Sequence, residues 1–363
     1  VRILFLGKRQ PMARDLLERP YGRFFHLPRA LAAQGHAVKL ALVHHQRAAP
    51  WSGLRHGLDW ETLEPREGPL RLLRRLGEIA RGFRPDWIVG CSDTYYGILA
   101  VHLARRVGAR SLLDAYDNYA SYVAWCRPLH AAWFTAARAA DLVSVAGPSL
   151  AALFAAHGRR GPTFVLPMAV DPVGFFPRDR FRCRAQLGLP VDREYIGYFG
   201  SIARSRGIST LFDAWAALRE RRPTVELLLA GRLEAGLPLP PGARYLGYVA
   251  DEALPVVMNA ADVLAVVNRE SAFGHYSFPI KLYEALACGL PVVASATDST
   301  RWILREHPES LVPAEDAAAL GAALQSALDA PTPPPARKPS WEALATELAA
   351  ALTTGLKGCS APQ

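Results

Sequence analysis

Lys281 and Glu284 stand three residues apart in the run Ser277-Phe278-Pro279-Ile280-Lys281-Leu282-Tyr283-Glu284, so on a helix they share one face. Pro279 suits the first helical position, where its missing N–H leaves nothing unpaired, and Gly289 suits a left-handed cap at the other end. Pro291 stops the helix, and Val292-Val293-Ala294 then reads as a buried parallel strand. A helix start at the mouth of a sheet offers free N–H groups to an anion, above all a phosphate. On the residues alone the stretch is a phosphate cradle with a carboxylate one turn below, or a solvated ion pair on an ordinary helix.

The elements that must position these groups alternate along the whole chain. Apolar runs at Arg2–Gly7, Ala37–Val43, Asp86–Cys91, Ser111–Ala115, Leu142–Ala146 and Thr163–Leu166 are separated by amphipathic stretches, the pattern of a parallel sheet covered on both faces. A second series begins at Tyr195–Gly200 and continues through Val225–Ala230, Arg244–Leu246 and Asp262–Val267. Between the two lies the proline-dense segment Val165 to Pro177, which marks a boundary with a hinge near Val173. The fold class expected is therefore α/β with two Rossmann-like parallel-sheet domains, 1–173 and 174–340. A last helix and tail at 341–363 are free to cross back to the first domain.

The 363 residues and their 50% hydrophobic content suit two cores. The net charge of +9 is uneven: residues 1–170 carry 23 Lys+Arg against 12 Asp+Glu, the remainder 19 against 21. A basic first half suits a phosphorylated acceptor or an anionic membrane surface; nucleic acid is excluded by the lack of any recognition motif. The helix at Leu70 to Arg84, with leucines on one side and arginines elsewhere, fits either a membrane surface or a solvated outer helix. The five cysteines are scattered, and the opening residues read as a strand rather than a leader. The expected setting is a reducing cytoplasm, including the inner face of a membrane. With no His-Glu-x-x-His, P-loop, Gly-x-Gly-x-x-Gly or Asp-x-Asp, neither a metal nor a cofactor is expected.

Ligands of open α/β sheets bind beyond the carboxyl ends of the strands, which selects further residues. Gly22 and Arg23 open the first helix after a long polar loop, where backbone or guanidinium could meet an acceptor or simply form a turn. Asp93 and Asp117 follow two of the strands; each is a proton acceptor for a hydroxyl or a helix cap. His275 and Tyr276 lie in the loop before the opening stretch, a lone loop histidine being most often solvated.

Extended through Glu284-Ala285-Leu286-Ala287-Cys288-Gly289-Leu290-Pro291, the opening stretch closely resembles the signature of the retaining family-4 glycosyltransferases, which have the GT-B architecture of two Rossmann-like domains facing a cleft. The resemblance implies that Ser277, Phe278, Pro279, Ile280 and Lys281 hold the diphosphate of a nucleotide-sugar and that Glu284 binds its ribose. Gly200-Ser201 to Arg206-Gly207 resembles the family's phosphate loop, with Arg206 at the usual lysine and Ser201 at the usual arginine. Tyr248 and Val249 fall where relatives rest the nucleobase. Asp117 is nearest to the family's sugar-contacting histidine. The first glutamate of the family's Glu-x7-Glu is replaced by Tyr276, and Glu270 resembles that glutamate displaced upstream.

The resemblance implies a metal-independent, retaining glycosyltransferase acting on a sugar or lipid-linked acceptor, with Arg206, Lys281, Glu270 and Asp117 nearest the chemistry. The departures at Ser201 and Tyr276 keep a non-catalytic nucleotide-sugar-binding partner subunit open, and a sugar-nucleotide epimerase shares the architecture.

Overall fold

The computed structural model describes residues 1–170, 174–271, 276, 278–334 and 339–357. Its contacts divide the chain into two units, Val1–Ala169 with Pro339–Gln363, and Val170–Lys338. The hinge expected at Val173 lies outside the described residues.

Unit 1 is built around β1 (Arg2–Lys8), whose central residues are all buried because helices cover both faces of its sheet. β1 pairs in parallel with β2 (Ala37–Val43) and with β5 (Trp87–Gly90), and the sheet continues through β6 (Arg110–Ala115), β7 (Leu142–Val145) and β8 (Thr163–Val165). Beyond β2 the edge is a hairpin of β3 (Ser52–Arg55) and β4 (Leu58–Leu63), the latter parallel to β2. This hairpin is absent from the strands expected from the sequence. Its turn, His56-Gly57, has φ of +52° and +76°, the hand a two-residue hairpin needs, but histidine does not advertise that conformation.

Helices α1 (Arg23–Ala33), α2 (Pro69–Phe83), α3 (Thr94–Val107), α4 (Arg127–Ala139) and α5 (Pro148–Ala156) connect these strands. One face of the sheet packs Ile3, Phe5, Trp60 and Trp87; the other packs Leu4, Leu6 and Ile88 against Leu76 and Ala100.

Unit 2 repeats the scheme with β9 (Glu194–Phe199), β10 (Val225–Ala230), β11 (Arg244–Tyr245), β12 (Val263–Val266), β13 (Val292–Ser295) and β14 (Leu311–Val312), all parallel, in the order β11-β10-β9-β12-β13-β14. Its helices are α6 (Arg180–Gln186), α7 (Ile208–Arg221), α8 (Leu254–Ala260), α9 (Ile280–Ala287), α10 (Asp298–Ile303) and α11 (Ala317–Asp329). The last helix, α12 (Trp341–Lys357), returns to unit 1, where Trp341, Leu344, Leu348 and Leu352 join the core beside α1.

Arg23 corrects one expectation. Rather than meeting an acceptor, it is 2% exposed and grips Asp114 at the end of β6, Nε at 2.8 Å and Nη2 at 2.6 Å. Its Nη1 donates to the carbonyls of Leu166 and Pro167, and Ser144 Oγ donates to the same carboxylate at 2.5 Å. Burial alone would lower the arginine's pKa, yet the carboxylate beside it raises it overall. Guanidinium rather than ammonium suits this place because its planar fork matches both carboxylate oxygens.

Removing one partner of a buried pair strands the other charge, so Arg23→Ala is expected to destabilise unit 1 by about 3–5 kcal/mol in urea unfolding. Arg23→Met combined with Asp114→Leu, which removes both charges, is expected to cost less than Arg23→Ala alone.

Candidate functional site

Glu284 lies one turn into α9, buried with only 9% exposed, while Lys281 at the helix start is half-buried. Lys281 Nζ stands 2.8 Å from Glu284 Oε2. At that distance the ammonium is the partner of Oε2, by charge and by hydrogen bond. Burial pushes the Glu284 pKa up, Lys281 pulls it back, and Asp251 adds to the rise.

The helix holding it begins one residue later than its sequence suggests. Pro279 is the cap, outside the helix, with φ −81° and ψ +79°, and Ile280 is the first helical residue. Phe278 stacks on Tyr283 with centroids 5.3 Å apart and meets the Trp302 edge, which fixes the entry of the chain into α9. At the far end Gly289 takes φ +68° and the N–H of Leu290 returns to the Ala285 carbonyl, the left-handed stop that its residue type suggests.

Gly200 and Gly231 end the neighbouring strands β9 and β10. Their backbones pass so closely that a Cβ on Gly231 would fall 1.7 Å from the Gly200 carbonyl oxygen, so no side chain fits there. Beyond Gly200, Ser201 is exposed and its carbonyl accepts from Tyr198 Oη at 2.8 Å. Arg206 closes the short 3-10 turn Arg204–Arg206 immediately before α7. Its charge acts on Tyr198, whose pKa burial nonetheless pushes up to about 12.

Tyr248 is 63% exposed, with the Arg232 guanidinium 5.8 Å from its ring, and Val249 packs against the core. Arg232 has no role in the sequence reading; the only signal for it is its place directly after the glycine that ends β10. Glu270 is exposed on the loop after β12, and Tyr276 is half-buried. Ser277 and His275 lie outside the described residues.

In unit 1 the carboxyl edge is more fully occupied by its own contacts. Asp93 caps α3 by accepting from Thr94 N–H at 2.8 Å and pairs with Lys8 at the end of β1. Ser92 beside it takes φ +73°, and its hydroxyl accepts from Lys8 N–H at 2.8 Å. His45 Nε2 stands 2.6 Å from Tyr96 Oη, and burial and Lys8 lower the His45 pKa. Lys8, His45 and Tyr96 carry no role in the sequence reading, because only the order of β1, β2 and β5 brings them together.

Asp117 is buried, with Oδ1 accepting from Asn118 N–H at 2.8 Å and Oδ2 from Tyr122 Oη at 2.5 Å. It therefore orients Tyr122, itself about half exposed. Gly22 caps α1 with φ +62° and open space around its α-carbon. A cavity of about 530 Å³ lined by Trp51, Glu61, Arg71 and Arg75 contains none of these groups, and Arg75 there pairs with Glu61 and Glu78.

Two largely parallel-sheet units in one chain fit the GT-B class. The model of the glycosyl transferase 4-like domain matches residues 23–169, and that of glycosyl transferases group 1 matches residues 193–330. The chain belongs to this glycosyltransferase family, one model falling on each unit. Among curated relatives, the phosphatidyl-myo-inositol mannosyltransferase of Mycobacterium leprae is 40% identical over 131 residues, 34% of this chain and 34% of that protein. The D-inositol 3-phosphate glycosyltransferase of Geodermatophilus obscurus is 32% identical over 224 residues, 55% of this chain and 49% of that protein. The matches thus span between a third and a half of these relatives' lengths.

Among solved structures, a sucrose-phosphate synthase from Thermosynechococcus elongatus shares the fold with a TM-score of 0.73 and 21% identity, over 99% of this chain and 100% of that one. HepE of Anabaena in complex with UDP does so with a TM-score of 0.72 and 18% identity, over 99% and 98%.

The raised Glu284 pKa makes a stability prediction with a definite sign. A carboxyl whose pKa is higher folded than unfolded favours the fold below its ordinary value of 4.5, and that contribution is lost as pH rises through the folded value. Ligand-free Glu284→Gln is therefore expected to gain stability relative to the wild type as pH climbs above 4.5, read from melting temperatures across a pH series.

Proposed function

We propose that this chain transfers a sugar from a nucleoside-diphosphate sugar to a hydroxyl acceptor, with retention of anomeric configuration and without a metal. The observation that carries the reading is the buried Glu284 carboxylate, paired with Lys281 at the start of α9, in the unit that matches the group 1 model. Glu284 takes the ribose hydroxyls, the α9 start and Lys281 take the diphosphate, and Tyr248 with Val249 flank the base. Arg206 and Lys281 supply the positive charge that stabilises a departing diphosphate, which is the usual task of a metal in other transferases. UDP, bound by HepE in its complex, is the first nucleotide to try.

The acceptor belongs to unit 1, whose basic balance favours a phosphorylated or lipid-linked polyol. Both named relatives act on inositol derivatives, which supports this choice. At the carboxyl edge of unit 1, we assign the acceptor hydroxyl to Asp117 and Tyr122, which are joined by a 2.5 Å hydrogen bond.

A peripheral membrane contact fits the same unit. No described helix is long and apolar enough to cross a membrane. Between α2 and α3, however, runs a groove of about 340 Å³ lined by Leu70, Leu73, Leu99 and Leu103 and flanked by Arg74, Arg81 and Arg106. Leu70 is 81% exposed, and Arg71, Arg81 and Arg106 have no acidic partner among the described residues.

A thermal-shift panel of UDP, GDP, ADP and their sugars tests the donor: one is expected to raise the melting temperature, and no shift from any of them would sink the proposal. Glu284→Gln is expected to weaken that ligand by roughly ten- to hundred-fold in calorimetry, since a hydrogen bond to a charged group contributes about 1.5–3 kcal/mol. For the membrane contact, flotation with phosphatidylglycerol vesicles is expected to recover the wild type. Arg71→Ala with Arg81→Ala should weaken that partition by about 2 kcal/mol, and equal recovery on neutral vesicles would refute an electrostatic contact.

A further inference from the structure

In the sheet of unit 2 the chain leaves β9 toward β10 and β11 on one side and later fills β12, β13 and β14 on the other. The strand order therefore reverses between β9 and β12, and the crevice outside such a reversal is where open parallel sheets bind ligands. Two loops meet there. One comes after β9 and carries Ser201 to Gly207; the other comes after β12 and carries Asn268 and Arg269.

Their contact is close. Gly207, at φ +76°, opens α7, and a Cβ on it would lie 3.3 Å from both Cγ and N of Arg269. The stem of Arg269 is thus laid against the residue next to Arg206. Its Nε donates to Glu315 Oε1 at 2.9 Å, and neither Nη has a partner among the described residues. Glu315 comes from the loop after β14, at the same carboxyl edge, and holds φ +60°, a left-handed conformation unusual for a residue with a side chain. Arg269 is 52% exposed, and an ion pair that wet adds little to stability, so the pair does not account for the strain. Strained residues that gain little for the fold gather where geometry serves a ligand.

We propose that Arg269 is a second cation for the donor's diphosphate, held in place by Glu315, working beside Arg206 where Ser201 contributes no charge. The inference rests on the nucleotide-sugar reading and goes beyond it by naming a residue that reading does not use. With Nε anchored on Glu315, the two Nη groups are available for phosphate oxygens, and a guanidinium pairs with two of them at once. Glu315 touches no ligand; it is a positioning residue, fixing the direction of the fork.

The test is calorimetry with UDP, GDP or ADP, whichever the wild type binds, beside the matching monophosphate. Arg269→Ala is expected to weaken the diphosphate by about tenfold while leaving the monophosphate within about twofold, because a lost charge-assisted contact acts on the phosphate it touches. Arg269→Lys should recover part of the loss. Glu315→Gln should give a smaller loss, again confined to the diphosphate, with the ligand-free melting temperature unchanged. Wild-type binding of a diphosphate that Arg269→Ala leaves intact would overturn the inference while sparing the donor reading. Equal loss of both nucleotides together with a lowered melting temperature would make Arg269 structural. Failure of the wild type to bind any diphosphate would overturn both.

Discussion

A strand can be joined to a parallel neighbour only through a crossover, so each parallel sheet delivers its loops after the strands to one edge. Both units obey this constraint, and everything chemical in them depends on it. In unit 2 it brings the residues after β9, β10 and β12 to the same side of one sheet although they are far apart in sequence. In unit 1 it does the same for Lys8, His45 and Asp93, at the ends of β1, β2 and β5.

The two edges use their charges differently. In unit 1, Lys8 lies on Asp93, and the Asp117 carboxylate already accepts from Asn118 and Tyr122. In unit 2, Glu284 meets Lys281 of its own helix, and Arg269 keeps both Nη groups without a partner among the described residues. Burial raises the Glu284 pKa in spite of Lys281, so its burial costs stability, in contrast to that of Asp114. Asp114 accepts two bonds from Arg23 and one from Ser144, and its burial serves the fold.

The alternation of apolar strands and helices was legible in the chain itself, and so was the α9 segment, because proline, glycine and helical spacing act over a few residues. The β3–β4 hairpin was not legible. Its strands are short and its turn uses a histidine at positive φ, so it exists through the pairing of β4 with β2 rather than through local preference. Arg23 was misread for a related reason. An arginine at a helix start looks exposed until Asp114, 91 residues away, is folded against it. Asp93 was open between cap and ligand, and its contacts with Thr94 and Lys8 place it in the cap role.

The amino-acid order alone determined the kind of fold, through the alternation of apolar and amphipathic runs, and the α9 helix with the face shared by Lys281 and Glu284, which depends on neighbours within about one helical turn. Only the tertiary structure decided which distant charges share an environment: Arg23 with Asp114, His45 with Tyr96, Arg269 with Gly207 and Glu315. The reason is that a charge's role depends on its dielectric surroundings and its partners, and in a parallel sheet both come from strand order, which no short stretch of sequence encodes.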